Sequence, residues 1–312
     1  PCGTLFPYTT LFRSQDDDNC NSITDRDGRN GIRISTWFDS NINFFLVDIN
    51  LNIYSNEGKK NKMKNNKKKA EMIIENISFS YNGTPVLENI TFSASRGKTT
   101  IIMGPNGSGK TTLFKILDLL LKPDNGEIIV NNRDILSLKP KQAREFRKKV
   151  SFVFQEPYLF NMKVQKNIAY PLKIRGYDKE TIKSRIIDLT EQFRLSGILS
   201  KKPHQLSGGD KKRVSFAQAL ASKPEILLMD EPTASMDPEN CLIIENFIKD
   251  IKRDDNIFVI MATHDVFQSK RLADNVGFLF NGKIVEFGKK QQMIDNPEVE
   301  LTRKFLNGEI LI

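Results

Sequence analysis

Residues 104–112 read Gly-Pro-Asn-Gly-Ser-Gly-Lys-Thr-Thr, and no other stretch of the chain restricts its fold so tightly. They fit the spacing G-x-x-x-x-G-K-[ST], with Gly104, Gly109, Lys110 and Thr111 in the defining places. The run Thr99-Thr100-Ile101-Ile102-Met103 before the loop is β-branched and apolar, which predicts a buried strand. After Lys110, the three- and four-residue spacing of Leu113, Ile116, Leu117 and Leu120 predicts a helix. Strand, glycine-rich loop and helix in this order make a phosphate cradle. Gly107 and Gly109 let backbone N–H groups close around phosphate oxygens without a Cβ in the way. The helix start adds free N–H groups and the positive end of its dipole. Gly104, Pro105, Asn106, Gly107, Ser108, Gly109, Lys110, Thr111 and Thr112 are therefore the candidate residues for holding a nucleoside triphosphate, with Lys110 on the β- and γ-phosphates and the Thr111 hydroxyl on Mg²⁺.

A second acidic site follows at Ile226-Leu227-Leu228-Met229-Asp230-Glu231-Pro232. Four consecutive apolar residues predict a strand buried on both faces, as in a parallel sheet. Asp230 then emerges at the carboxyl end, where open α/β sheets bind ligands. That places Asp230 to hold the magnesium shell and the adjacent Glu231 to polarise an attacking water.

Other elements recur in a telling order: Tyr81, Gln155 after the strand 150–154, Leu206-Ser207-Gly208-Gly209, Ser235-Met236-Asp237 and His264. With the two sites above, the stretch from about Met72 to Gly288 resembles the ATP-binding subunit of ATP-binding-cassette (ABC) transporters. The resemblance implies an α/β P-loop NTPase fold: a RecA-like core, an antiparallel β edge subdomain and an inserted helical subdomain, here about 157–222, carrying the signature Ser207, Gly208 and Gly209. It implies that Tyr81 stacks on adenine, that Gln155 touches the magnesium shell and reports nucleotide state, and that His264 is the switch histidine. Ser207 to Gly209 and Asp237 would close on the nucleotide of a partner, so ATP would glue two cassettes into a homodimer. Three residues depart from the family pattern: Asp210 for glutamine, Met236 for leucine and Gln218 for arginine. Asp210 adds negative charge beside a phosphate site and is expected to weaken dimer closure.

Composition limits the remaining choices. The chain has 312 residues, 39% of them apolar, with no apolar stretch near the eighteen or so needed to span a bilayer. The transporter reading therefore implies separate transmembrane permease subunits, an external solute-binding protein, and a peripheral place on the cytoplasmic face of the membrane. Seven lysines lie between positions 59 and 69, and positions 1–58 carry about −4, so the total of +9 leaves about +6 for the rest. That is a weak argument for nucleic acid, and none is expected as partner. Cys2, Cys20 and Cys241 have neither metal nor disulfide spacing.

Residues 1–71 fall outside the cassette pattern and are expected to be an unstructured or artefactual extension. Leu5 to Ser14 resembles translated adapter sequence, and Met63 or Met72 would be an ordinary start. Within 72–290, alternation through Ile77, Phe79 and Tyr81, then Ile90, Phe92 and Ala94, predicts an antiparallel edge sheet, and Asn281-Gly282 predicts a hairpin turn. Ile182, Ile186, Leu189 and Phe193 form one face of an inserted helix. Residues 291–312 read as a short tail. A repair-type ATPase would need a long coiled coil between loop and signature, where only about a hundred residues stand; a soluble cofactor-assembly cassette stays open. Likeness in 155–176, 271–274 and 302–309 is greatest to oxyanion importers of the tungstate type, with phosphate, molybdate and polar amino-acid importers as alternatives.

Overall fold

The computed structural model describes residues 71–252 and 256–309, together with the backbone of three short strands nearer the N-terminus. The chain divides into two compact units, Pro1–Asn66 and Lys67–Ile312. In the first unit, β1 (Thr10–Phe12), β2 (Ser22–Thr24) and β3 (Gly31–Arg33) pair in an antiparallel sheet. Each of these three-residue strands carries a β-branched residue, Thr10, Ile23 and Thr24, or Ile32, which favours extended backbone. The lysine run 59–69 lies outside the described residues.

The second unit is built on two sheets. One has four antiparallel strands in the order β5-β4-β7-β8, formed by β4 (Glu71–Tyr81), β5 (Thr84–Ser95), β7 (Asn125–Val130) and β8 (Arg133–Asp134). The other has six strands in the order β13-β12-β6-β11-β10-β9. Here β6 (Thr99–Met103), β9 (Val150–Val153), β10 (Ile226–Asp230), β11 (Phe258–Thr263) and β12 (Asn275–Phe280) run parallel, and β13 (Lys283–Lys289) returns antiparallel as the edge. The Asn281-Gly282 turn joins β12 to β13 with φ of 46° and 76°, as a tight hairpin requires.

Side-chain alternation along the central strands splits the core in two. Leu227, Met229, Val259 and Met261 face a helical layer, while Ile226, Leu228, Phe258 and Ile260 face the antiparallel sheet and the helix after the loop. Both faces are covered, which is why these strands read as unbroken apolar runs. That helix, α1 (Lys110–Leu117), is too short to persist alone. Burial of Leu113, Phe114, Ile116 and Leu117 secures it, at roughly 1.5–3 kcal/mol each. Leu120 does not continue its apolar face: Asp118 caps the helix, Leu119 turns to φ 55°, and Leu120 is exposed.

The helical insertion comprises α3 (Val164–Ile174), α4 (Lys179–Gln192) and α5 (Gly208–Leu220), with Ile186, Leu189 and Phe193 buried as their spacing predicts. Outside it lie α2 (Pro140–Arg147), α6 (Pro238–Ile251) and α7 (Val266–Leu272). The C-terminal segment forms α8 (Lys290–Asp295) and α9 (Glu300–Leu306). Met293 and Phe305 are buried, and Phe305 stacks on Phe278 of β12 at 4.7 Å between ring centroids. Among the described residues no helix is long and apolar enough to cross a membrane.

Candidate active site

Parallel order puts the carboxyl ends of β6, β10 and β11 side by side: the segments after β6 and β10 line one cleft, and the end of β11 backs it through contacts to Glu231. From β6 comes the loop 104–109, turned into α1 by Gly109 at φ 106°. A Cβ on Gly109 would stand 2.7 Å from the Leu87 side chain, so both backbone angle and packing demand glycine. Gly107, at φ 78°, has open space around it; its requirement is the backbone angle and not steric room. From β10 come Asp230 and Glu231, and from β11 come Thr263 and His264.

The cleft, about 400 Å³, is lined by Asn106, Gly107, Gly109, Lys110, Thr111, Thr112, Gln155, Asp230 and Glu231, with Val86 beside them. Val86 is the lining residue that sequence reasoning missed; it sits in β5, and a lone valine in a strand carries no chemical signal. Gly104, Pro105 and Ser108 are buried beneath the cleft, where Lys110 Nζ donates to the Gly104 and Pro105 carbonyls at 2.7 and 2.8 Å. Lys110 Nζ also lies 3.6 Å from Glu231 Oε1. Burial lowers the Lys110 pKa below the ordinary lysine value, and the charges of Glu231 and Asp230 oppose that shift.

Glu231 is buried and bent to φ 47°, its amide donating to the Ala262 carbonyl at 3.0 Å. That turn aims the carboxylate away from Asp230: Oε1 is 2.9 Å from His264 Nδ1, and Oε2 accepts from Thr263 Oγ1 at 3.5 Å. Asp230 faces α1 instead. Thr111 Oγ1 donates to its Oδ2 at 2.6 Å, and burial pushes the Asp230 carboxyl up while the Thr111 bond holds it back.

This pair fits a magnesium ion. Asp230 Oδ1 is buried without a hydrogen-bond partner among the described residues, which leaves a lone-pair face for a hard cation next to the Thr111 hydroxyl. Among the described residues no group of three or more His, Cys, Asp and Glu could hold a metal. Mg²⁺ ordinarily takes only one or two protein oxygens, with waters and substrate phosphates completing its shell, so this sparse donor set suits it.

The remaining predicted residues sit elsewhere. Tyr81 ends β4 with 44% of its surface exposed, its ring edge against Phe79 at 4.7 Å. Ser207 caps α5, accepting from the Asp210 amide at 3.1 Å. Gly208 and Gly209 open that helix, and Gly209 abuts Asp237 and Asn240: a Cβ there would lie 3.5 Å from Asp237 Oδ2 and 2.6 Å from Asn240 Nδ2. Asp237 caps α6. None of Ser207, Gly208, Gly209 and Asp237 lines the cleft around Lys110. Asp210 is not a free charge: its Oδ1 is 2.5 Å from Arg213 Nη2, and its Oδ2 accepts from the Ser207 amide at 3.3 Å.

A larger concavity, about 730 Å³, lies between α3 and α4 and is lined by Ala169, Ile182, Ile186 and Leu199 with a lysine rim. It contains no part of the glycine-rich loop, so the smaller cleft is the chemical one.

Residues 87–234 match the ABC transporter family. The chain is 35% identical to the phosphate import ATP-binding protein PstB 2 of Natronomonas pharaonis, over 77% of this chain and 87% of that one. The chain belongs to the ABC transporter family. The tungstate uptake system ATP-binding protein TupC of Peptoclostridium acidaminophilum is 39% identical, over 69% of this chain and 97% of its own. A methionine import ATP-binding protein MetN 1 of Bacillus thuringiensis is 36% identical, and this chain spans 66% of its length. In architecture the ABC cassette is similar to the ATP-binding cassette MJ0796, solved as a dimer in a post-hydrolysis state bound to ADP and Pi, with TM-score 0.66, 28% identity, and coverage of 70% of this chain and 98% of that one. The P-loop cassette expected from the sequence is thus the fold, and this ABC cassette is an ATPase.

Proposed function

We propose that the cassette is the ATP-hydrolysing subunit of an importer and that its solute is an oxyanion, tungstate before phosphate or molybdate. The observation that carries the ATPase chemistry is the separation of two adjacent carboxylates into two roles. Asp230 turns to Thr111, and Glu231 turns to His264 and Lys110. The loop 104–112 cradles the phosphates, with Lys110 neutralising charge on the β- and γ-phosphates. Thr111, Asp230 and Gln155 would hold Mg²⁺, which would supply charge neutralisation at the phosphates. Glu231 accepts a proton from the water that attacks the γ-phosphorus, the bond to the β-phosphate oxygen breaks, and ADP leaves. His264 holds Glu231 and the γ-phosphate in register, and Tyr81 stacks on adenine.

Ser207, Gly208, Gly209 and Asp237 serve the nucleotide of a second copy. Their place outside the cleft supports this, because a capped helix start such as Ser207–Gly209 is an anion site in its own right. The cassette lies at the cytoplasmic face of the membrane under permease subunits, with an external binding protein choosing the solute. Support for the permease contact comes from the segment after Gln155. Asn167 pins it through Phe160 and Met162, and it presents Tyr158, Tyr170 and Ile174 as exposed apolar side chains. Exposed clusters of this kind mark protein contacts.

The test is ATPase stimulation in proteoliposomes holding permease and binding protein, offered tungstate, molybdate, phosphate, glutamine and methionine separately. Stimulation by tungstate supports the oxyanion reading. Stimulation by methionine or glutamine alone overturns it and leaves the ATPase in place.

A further inference from the structure

The chemistry above leaves one buried polar cluster unused. Glu245, in α6, is 3% exposed and receives two hydrogen bonds from Arg271 of α7, Nε to Oε2 at 2.8 Å and Nη2 to Oε1 at 2.6 Å. Gln268 sits in α7 one turn before Arg271 and is 1% exposed. Its Nε2 donates to Thr233 Oγ1 at 2.6 Å and to Glu245 Oε1 at 3.4 Å. A carboxylate accepts and cannot donate, which fixes the nitrogen end of the amide toward it. Gln268 Oε1 has no partner among the described residues. An unpaired buried acceptor costs about 1–3 kcal/mol, and the Arg271–Glu245 pair already holds α6 to α7. That cost offsets much of what the two donated bonds contribute, so stability alone does not account for an amide here in place of an apolar side chain of equal length.

Position gives a reason. Thr233 lies in the loop 231–237 between β10 and α6, two residues after Glu231, and α7 follows His264 with Asp265 as its cap. The Gln268 backbone N–H donates to Asp265 Oδ1 at 2.9 Å, and the Asp265 backbone N–H donates to Thr263 Oγ1 at 3.1 Å. Thr263 Oγ1 in turn lies 3.5 Å from Glu231 Oε2. Contacts thus lead residue by residue, by hydrogen bonds joined through the side chains of Gln268 and Asp265, from Thr233 to Thr263 and the carboxylate beside His264. From this path we infer that Gln268 is a positioning residue: its side-chain amide ties Thr233, between Glu231 and Asp237 in the loop 231–237, to the segment 263–265 whose Thr263 and His264 hold the Glu231 carboxylate, so closure against a second cassette at Asp237 sets the geometry at the carboxylate. This rests on the composite-site reading above.

The experiment is steady-state ATPase activity of the full chain carrying Gln268→Met, which keeps length and removes both donors. The expected result is a fall in kcat of about 10-fold or more, since small misplacements remote from the chemistry are costly in rate. KM for MgATP and the melting temperature stay at wild-type values. Thr233→Val should fall equally, Thr233→Ser should keep the rate, and the double variant Gln268→Met/Thr233→Val should be no slower than the slower single variant. A wild-type kcat in Gln268→Met overturns the inference. So does a double variant whose losses multiply, or a kcat loss matched by a fall in melting temperature. Should Gln268→Met not fold, the Thr233→Val and Thr233→Ser pair decides. Glu231→Gln, run in parallel, separates the two readings. If it hydrolyses ATP normally, the active-site assignment itself fails; if it is inactive while Gln268→Met is normal, only the role of Gln268 fails.

Discussion

Glu231→Gln is the sharpest test of the site because it changes charge and almost nothing else. The side chain is buried, and glutamine has the same length and branching. Its backbone, at φ 47°, asks of glutamine what it asks of glutamate. An amide can still meet His264 Nδ1, now 2.9 Å from Oε1, through the tautomer that suits it. Two things are lost: a proton acceptor for the attacking water, and the negative partner 3.6 Å from Lys110 Nζ. The first should slow turnover by ~10²–10⁴, equivalent to about 3–5 kcal/mol on the barrier. The second leaves Lys110 more strongly positive in its effect on phosphate, so nucleotide affinity should hold or rise. Phosphate release under saturating MgATP reads the first effect, and calorimetric titration with ATP reads the second. Gel filtration with ATP should show the variant accumulating as a dimer. Hydrolysis within about threefold of wild type would refute the base assignment, which requires at least the lower end of the ~10²-fold range. Loss of nucleotide binding in step with turnover would show that the substitution had disturbed the cradle and not the base.

Lys110→Ala removes a charge-assisted phosphate contact worth about 1.5–3 kcal/mol, so ATP affinity measured by fluorescence should fall about 10- to 100-fold; unchanged affinity would remove the loop from the phosphate site. Mixing Ser207→Arg chains with Lys110→Ala chains should allow at most one intact site per dimer, whereas Ser207→Arg hydrolysing at the normal rate as a monomer would exclude a signature acting on its partner. Burial pushes the Asp118 carboxyl up to about 7 from its ordinary 3.8, against the pull of Arg147. The unfolded chain releases that proton near pH 4 and the folded chain only near 7, so stability falls as pH rises across this window, by about 4 kcal/mol at most. Asp118→Asn should therefore gain more over wild type in urea unfolding at pH 8 than at pH 5; equal gains would mean that Asp118 ionises normally.

The parts of the molecule legible in the sequence are those where chemistry or topology dictates contiguous residue types. A phosphate loop needs its glycines, lysine and threonine within nine positions, and a strand buried on both faces needs an apolar run like 226–229. Gln268 and Glu245 gave no such signal, and Arg271 entered only as part of the likeness in 271–274. In sequence they are ordinary polar residues on two helices, and only the packing of α6 on α7 buries them. Leu120 failed for a related reason: apolar spacing continues past the point where Asp118 and Leu119 end α1, so periodicity alone overran the helix. The helices of the C-terminal segment gave no clear apolar period, because Met293 and Phe305 are far apart in a charged stretch. Their burial depends on a strand, β12, whose ring at Phe278 lies ready to receive Phe305.

Asp210 shows why residue type does not fix the local field. Read along the chain, a carboxylate next to two signature glycines opposes a phosphate. In the fold it is the third residue of α5, where a negative charge favours the helix dipole and completes a reciprocal cap with Ser207. Burial pushes its carboxyl up, but the bonds from Ser207 and Arg213 outweigh that and hold it below the usual carboxylate range. It is therefore charged, and its charge is spent on a guanidinium 2.5 Å away. Seen from an anion beyond Ser207, the pair presents little net charge, so the opposition expected from the sequence is cancelled within one helical turn.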